Sequence, residues 1–387
     1  MYLNAYFNNS SVNIEELVEV VEGKARILVP NPMKYTVGGR PEPAKAPVFF
    51  NPLMSNNRSI SVAVLRAFMD SRGGGATVCE PLSGSGVRGI RYLLEVDGVS
   101  KVVMGDLSRE AHALIMRNLE RNGVSDRAEA VRGDANELLS RVKCDVVDLD
   151  PFGSPAPFIS SAVRALRDGG LLCLTATDLG VLEGRHYNKA VRRYGVFPLR
   201  VPFSREVGLR ALIGFVVREA LVLDAGVIPL IGYHERHYYR ACVVVSKDRA
   251  DAVESLRNMG FYGYNPRTLK RWLTRGYPIG APGLGGPVWI GGLMDPEFMD
   301  GAVRKAGDDV KAFMEALSKE SIAPPLYFRL SELGRVMGFT PSIDALMETA
   351  SSIGVRVWRT HFAVDGFKIE GDHKLAKLIS ALSGSPH

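Results

Sequence analysis

The sequence predicts an α/β protein: a doubly wound, Rossmann-like domain followed by a smaller α+β domain with a winged-helix-like part. Three observations predict it. Between residues 72 and 178, short apolar runs alternate with helix-like segments. The first of those runs leads into a turn rich in glycine, Leu82-Ser83-Gly84-Ser85-Gly86. Beyond Lys247 the pattern changes to a Gly- and Pro-dense stretch followed by helices and a short hairpin.

Residues 76–80 (ATVCE) read as a short buried strand and 86–95 as the helix after it. Residues 101–106 (KVVMGD) form a second strand, and 108–122 a helix with Ser108 as cap and Glu110 in its first turn. A strand over 128–132, a helix around 136–142, a strand over 145–150 (DVVDLD), a helix over 156–166 and a strand over 170–175 complete the series. Strands separated by helices at this spacing require right-handed crossovers and a parallel sheet. A long helix over 205–223 precedes two β-rich runs, 227–233 and 239–246, which pair as a hairpin closing the sheet. The domain boundary falls after Lys247, giving 1–247 (with an N-terminal segment, 1–71) and 248–387.

In the second part, residues 276–293 read as an irregular loop and 300–319 as one amphipathic helix. A helix over 330–337 is broken by Gly338, and Thr340 caps the next helix with Pro341 in its first position. Strands over 355–361 and 367–370 join around Asp365-Gly366, a good hairpin turn.

Composition narrows the class. A chain of 387 residues, 46% hydrophobic and 23% charged, is long enough for two domains and holds no disordered tract. It has no run of about 18 apolar residues and no secretory pattern at its N-terminus. A soluble, cytoplasmic protein with no membrane partner is expected. The four cysteines (Cys79, Cys144, Cys173, Cys242) form no CxxC pair, so neither a metal site nor a disulfide framework is expected. They read as small buried apolar residues. Net charge is +6, with 34 Arg against 14 Lys. Arginine is the better fork for phosphate, which suits a polyanionic partner, although composition bias or heat adaptation explains the excess equally well.

Chemistry concentrates at strand ends, where open parallel sheets bind ligands. The glycines Gly84 and Gly86 after the first strand let the backbone approach a ligand and start a helix. Asp106 ends the second strand, placed to accept hydrogen bonds from two ribose hydroxyls. Asp134 and Ala135 follow the third, where a carboxylate and a backbone N–H suit an adenine edge. Together these predict a nucleoside cofactor. The fourth strand ends Asp148-Leu149-Asp150-Pro151-Phe152-Gly153. An acid, a proline and an aromatic at this position resemble methyltransferases that act on exocyclic amines. Such an amine is a poor nucleophile, because its lone pair is delocalised into the ring. A carboxylate can accept one N–H, align the nitrogen with a donated methyl and take the proton. Proline fixes the turn, and an aromatic ring stacks on a flipped base. Asp148 and Asp150 share one strand face. Asp150 is taken as the reacting group, with Asp148 held by other hydrogen bonds.

The run DLDPFGSP resembles the signature of the tRNA guanine-26 N2-dimethyltransferase family. So do EGKARILVP (22–30), PVFFNPLMSNNR (47–58), LSGSGVRGIR (82–91), TATD (175–178), GPVWIGGL (286–293) and RTHF (359–362), in family order along the whole chain. The resemblance implies a class I S-adenosylmethionine-dependent enzyme methylating the exocyclic N2 of guanine 26 in tRNA, first to N2-methylguanine and then to N2,N2-dimethylguanine. It implies cofactor contacts at Arg58, Glu80, Gly84, Gly86, Arg88, Asp106, Asp134 and Ala135, with the arginines near the methionine carboxylate. It implies a catalytic Asp150-Pro151-Phe152, and Phe49 and Phe152 as rings around the target guanine. This chain departs from the family at Glu80 (usually aspartate), Phe50 (commonly tyrosine), Ser59 (often aspartate) and Gly84-Ser85 (Ala-Thr). The cysteine cluster of some members is missing, so no metal is expected.

For RNA, Arg267, Lys270, Arg271 and Arg275 lie at helical spacing beside Trp272, a stripe that suits either a phosphate backbone or solvent. Arg267 and Arg271 are the contacts expected from it. Residues 236–240 (RHYYR) form a second basic-aromatic cluster. Two rival readings are another amine methyltransferase, on a different guanine or on adenine N6, and a non-catalytic tRNA-binding protein of the same fold.

Overall fold

The computed structural model describes residues 17–37, 40–72, 74–276, 283–371 and 373–384. The chain forms two compact units, Met1–Asp150 and Pro151–His387.

In the first unit, the segment before the sheet is itself structured. A hairpin of β1 (Leu17–Glu22) and β2 (Ala25–Pro30) turns at Gly23, and helix α1 (Ser55–Asp70) follows. Then come β3 (Ala76–Glu80), α2 (Val87–Glu95), β4 (Val99–Asp106), α3 (Arg109–Arg121), β5 (Ala128–Arg132), α4 (Ala135–Arg141) and β6 (Cys144–Leu149). The four strands run parallel in the order β6-β3-β4-β5, the doubly wound pattern expected from the alternation. Their order reverses between β3 and β6, which makes the strand ends there the natural ligand crevice. Gly86 caps α2 at φ +78°, a backbone that side-chain-bearing residues rarely adopt. Ser108 caps α3, its hydroxyl accepting the Ala111 N–H at 3.1 Å.

The second unit opens with α5 (Ile159–Ala165), β7 (Leu166–Ala176), α6 (Leu179–Leu182), α7 (Tyr187–Tyr194) and α8 (Ser204–Leu221). The hairpin of β8 (Gly226–Glu235) and β9 (Tyr238–Ser246) follows as expected, and β9 pairs antiparallel with β7. After α9 (Arg249–Arg257), strands β10 (Met259–Tyr264), β11 (Arg271–Arg275) and β12 (Leu284–Trp289) form a sheet in the order β11-β10-β12. The rest is α10 (Pro296–Lys305), α11 (Asp308–Ser321), β13 (Phe328–Arg329), α12 (Leu330–Met337), α13 (Ile343–Ser352), β14 (Val357–Arg359), β15 (Gly366–Ile369) and α14 (His373–Gly384). Its last helices and three strands enclose a core of Phe328, Leu333, Leu346, Phe367 and Leu378, consistent with a winged-helix-like part.

Four expectations need correcting. The Gly- and Pro-dense stretch is not all loop: β12 lies inside it, and the glycines serve packing, since a Cβ at Gly285 would overlap the Tyr262 ring. Residues 277–282 of that stretch lie outside the described residues. The expected helix 300–319 is two helices, because Ala306 is extended at ψ 138° and ends α10. α13 is capped by Ser342, which accepts the Ala345 N–H, and not by Thr340. The cysteines are paired, Cys79 with Cys144 and Cys173 with Cys242. Cys79 and Cys144 are on neighbouring strands β3 and β6 with Cα atoms 6.1 Å apart, while Cys173 and Cys242 sit directly opposite on β7 and β9. These neighbours are created by strand order, which spacing along the chain does not reveal.

Candidate active site

The first unit gathers its charged groups around one guanidinium. Arg88, in the first turn of α2, is buried. Its Nη2 donates to Asp150 and, at 2.9 Å, to Asn57 Oδ1. Its Nη1 donates to Ser61 Oγ at 2.8 Å and lies 3.8 Å from Asp148 Oδ2, while Nε lies 3.7 Å from Glu80 Oε1. Asn57 and Ser61 are four apart on α1 and so share one face. The Asn57 Nδ2 atom is buried without an acceptor among the described residues. The Arg88 contact fixes this orientation, since flipping the amide would face donor to donor.

Three carboxylates converge on Arg88, and their environments differ. Asp148 is fully buried and accepts the Tyr92 hydroxyl at 2.6 Å, one of the hydrogen bonds expected to hold it. Asp150, one residue past β6, keeps its side chain 25% exposed. Glu80, at the end of β3, is buried and accepts the Gly89 N–H at 3.1 Å. Burial pushes Glu80 up to about 8; the Arg88 charge opposes this and the carboxylates of Asp148 and Asp150 add to it. The same neighbours overcome desolvation at Arg88 and hold it firmly charged.

Next to this cluster the turn after β3 forms a cradle. Gly84 lies at φ +53°, and a Cβ there would meet the Phe49 carbonyl oxygen at 3.0 Å. Its N–H donates to Asp106 Oδ2 at 3.0 Å, while Asp106 Oδ1 accepts the Ser108 N–H at 2.9 Å. Burial raises Asp106, and these backbone donors pull the other way. Asp134 is exposed and caps α4, its Oδ1 accepting the Asn136 and Glu137 N–H groups, while Ala135 is buried. A partly exposed carboxylate at the end of β4 and a glycine cradle opening onto a helix N-terminus form a donor and acceptor set that fits a nucleoside cofactor.

Arg58 is held by the N-terminal hairpin. It forms a buried two-pronged pair with Glu22, with its Nε 2.6 Å from Oε1, and it lies over the Phe50 ring at 5.3 Å. Burial alone would raise Glu22, but Arg58 and Arg91 outweigh it and hold the carboxyl low. Phe50 is therefore packed beneath Arg58, and Phe49 is half-buried, with its backbone and Cβ beside Gly84.

In the second unit Phe152 is 68% exposed on a loop held to the TATD segment. Gly153 N–H donates to Thr177 Oγ1 at 2.9 Å, and the Ser154 and Tyr194 hydroxyls meet at 2.5 Å. Tyr194 in turn donates to Asp178 Oδ1 at 2.9 Å, so the TATD segment supports the aromatic loop. The basic stripe is corrected. Residues 271–275 are β11, not helix, and Arg271 is buried, with Nη2 2.9 Å from Glu332 Oε1 and its guanidinium 3.6 Å from the Phe328 ring centre. It cannot follow a phosphate backbone. Arg267 is exposed. In RTHF, Thr360 and His361 bond to the buried Glu320, which makes that motif a structural one.

Asn57, Ser61, Tyr92 and Tyr194 were not singled out from sequence. Isolated hydroxyl and amide side chains on helices give no periodic signal; only the side chains they meet reveal them.

The geometry agrees with what the chain resembles. The family model described as "N2,N2-dimethylguanosine tRNA methyltransferase" matches residues 23–381. A tRNA (guanine(26)-N(2))-dimethyltransferase of Pyrobaculum calidifontis is 44% identical over 356 residues, covering 91% of this chain and 95% of that protein. One from Thermococcus kodakarensis is 36% identical over 377 residues, covering 92% and 96%. The solved structure of Trm1 from Pyrococcus horikoshii with S-adenosyl-L-methionine superposes with a TM-score of 0.84 at 30% identity, over 94% of this chain and 99% of that one. On this evidence, the chain is a member of the N2,N2-dimethylguanosine tRNA methyltransferase family.

Proposed function

We propose that this protein transfers methyl groups from S-adenosylmethionine to the exocyclic N2 of guanine 26 in tRNA, giving N2-methylguanine and then N2,N2-dimethylguanine. One observation carries the reading: in a chain of this family, Asp150 lies just past the end of β6, partly exposed and bonded to the buried Arg88. Bound S-adenosylmethionine supplies an electrophilic methyl on its sulfonium. Gly84, Gly86, Asp106, Asp134 and Ala135 are assigned to its nucleoside part, and Glu80, Arg58 and Arg88 to the surroundings of its amino-acid end.

Asp150 accepts one N–H of the guanine amine, orients the nitrogen and takes its proton as the N–C bond forms. Arg88 holds that carboxylate in place. Phe49 and Phe152 are assigned to stacking on the base, and Pro151 to fixing the turn between acid and ring. A second round requires the monomethylated amine to rotate and present its remaining N–H to the same carboxylate. Residues 248–387, with Arg267, are assigned to gripping tRNA, and the reaction is placed in the cytoplasm.

The test is to incubate the protein with labelled cofactor and a tRNA transcript, then locate and count the methyl groups. Label on guanine 26, lost with Asp150→Ala while tRNA still binds, is the expected result. Label elsewhere, or substantial activity in the variant, refutes the assignment.

A further inference from the structure

Between Glu183 and Glu206 the chain has no acidic residue, yet it carries Arg185, Lys189, Arg192, Arg193, Arg200 and Arg205. All 42 of its Asp and Glu residues lie outside that run. α7 sits within it. Ala190 and Tyr194 are its buried side, whereas Tyr187, Asn188, Lys189 and Arg192 are exposed. Lys189 and Arg192 are three apart and share a helix face; Arg185, four before Lys189, is exposed in the turn that leads in. His186, Tyr187, Asn188 and Lys189 line a shallow open depression. A positive surface that carries an exposed aromatic ring is complementary to a polyanion with stackable bases.

A second observation ties this surface to the proposed chemistry. Tyr194, the last residue of α7, holds Ser154 at 2.5 Å and Asp178 at 2.9 Å, and Arg193 meets Asp178 at 2.8 Å. Ser154 lies two residues from Phe152. The helix and the aromatic loop are therefore one hydrogen-bonded piece, and a strand lying along α7 is registered against the ring assigned to the base.

We propose that α7 docks the tRNA backbone through Lys189 and Arg192, with Tyr187 stacking on an unpaired base, beside the loop that receives the target guanine. This rests on the tRNA reading above. Arg185 and Arg193 are not part of the contact, because Glu183 lies 3.5 Å from the first and Asp178 engages the second; Arg193 acts by fixing the helix.

The test is the double substitution Lys189→Ala/Arg192→Ala, with tRNA affinity measured between about 50 and 200 mM salt. Both side chains are exposed, so unfolding temperature and S-adenosylhomocysteine binding serve as controls that stay at wild-type values. The expected result is a roughly 10-fold weaker affinity and a slope of log K against log salt shallower by about 2, one for each phosphate contact removed. The charge reversal Lys189→Glu/Arg192→Glu is expected to weaken tRNA further still. Wild-type affinity and slope in both variants would overturn the proposal. A wild-type protein that binds no tRNA would instead sink the reading beneath it, and this proposal with it.

Discussion

The Tyr92 hydroxyl donates to Asp148 Oδ2 at 2.6 Å, and this contact distinguishes the surroundings of Asp148 from those of Asp150 at the end of β6. Asp148 is buried and engaged by Tyr92, and the short contact of Arg88 goes to Asp150. Tyr92→Phe removes the donor and leaves Asp148 competing for Arg88 from 3.8 Å. Losing a hydrogen bond to a buried charge costs roughly 1–3 kcal/mol. We expect a matching fall in unfolding free energy and a methylation rate lowered roughly 10-fold, with tRNA affinity unchanged. Wild-type turnover in a destabilised Tyr92→Phe protein would assign the pair to folding alone.

Glu80 makes stability depend on pH. Its folded value is raised to about 8 by burial, above the ordinary 4.5, so the folded protein holds this proton more tightly than the unfolded chain. The associated stability is fully present below pH 4.5 and is lost as pH rises through 8. Each unit of difference corresponds to roughly 1.4 kcal/mol, shared among the groups around Arg88. Glu80→Gln, which cannot ionise, should flatten the decline of unfolding temperature between pH 5 and 9. Parallel curves for the two proteins would contradict the assignment.

Arg271 and Arg267 should behave oppositely. Arg271→Ala leaves Glu332 buried without its cation, at a cost of about 3–5 kcal/mol. We expect a large drop in unfolding temperature with Arg271→Ala, and none with the exposed Arg267→Ala, whose effect should appear in tRNA affinity. Equal stability of the two variants would show that the Arg271 pair carries nothing.

The two disulfides predict a redox-sensitive fold. Thiol titration of denatured, unreduced protein should find none of the four cysteines free, and all four after reduction. Cys79 and Cys144 are 65 residues apart, for which chain-entropy arguments give about 4 kcal/mol. Cys79→Ser/Cys144→Ser should melt well below wild type, and reductant should lower wild type toward it. Free thiols in the unreduced sample would remove the pairing.

The legible parts of this molecule were those with a local signature. The alternation from 76 to 175 gave strands and helices their place, Ser108 announced a helix start, and Asp148-Leu149-Asp150-Pro151 marked a strand end with spare carboxylates. Tertiary neighbours were not legible. Cys79 and Cys144 meet only because β6 lies next to β3, out of chain order. Arg271 looked like part of a solvent stripe because Glu332, 61 residues on, is invisible to spacing. Gly285 looked like a loop residue because the ring it admits, Tyr262, belongs to another strand. The pairing of Arg58 was equally hidden, because Glu22 lies on the N-terminal hairpin, far off along the chain.

Because Arg88, Glu80 and Asp148 are enclosed in the interior, dissolved ions hardly reach them, whereas mobile ions screen exposed cations over about 10 Å at 0.1 M. Ionic strength thus becomes a scalpel. Added potassium chloride should raise KM for the nucleic acid while sparing kcat, so that inhibition by brine reports on grip and leaves the bond-making step untouched.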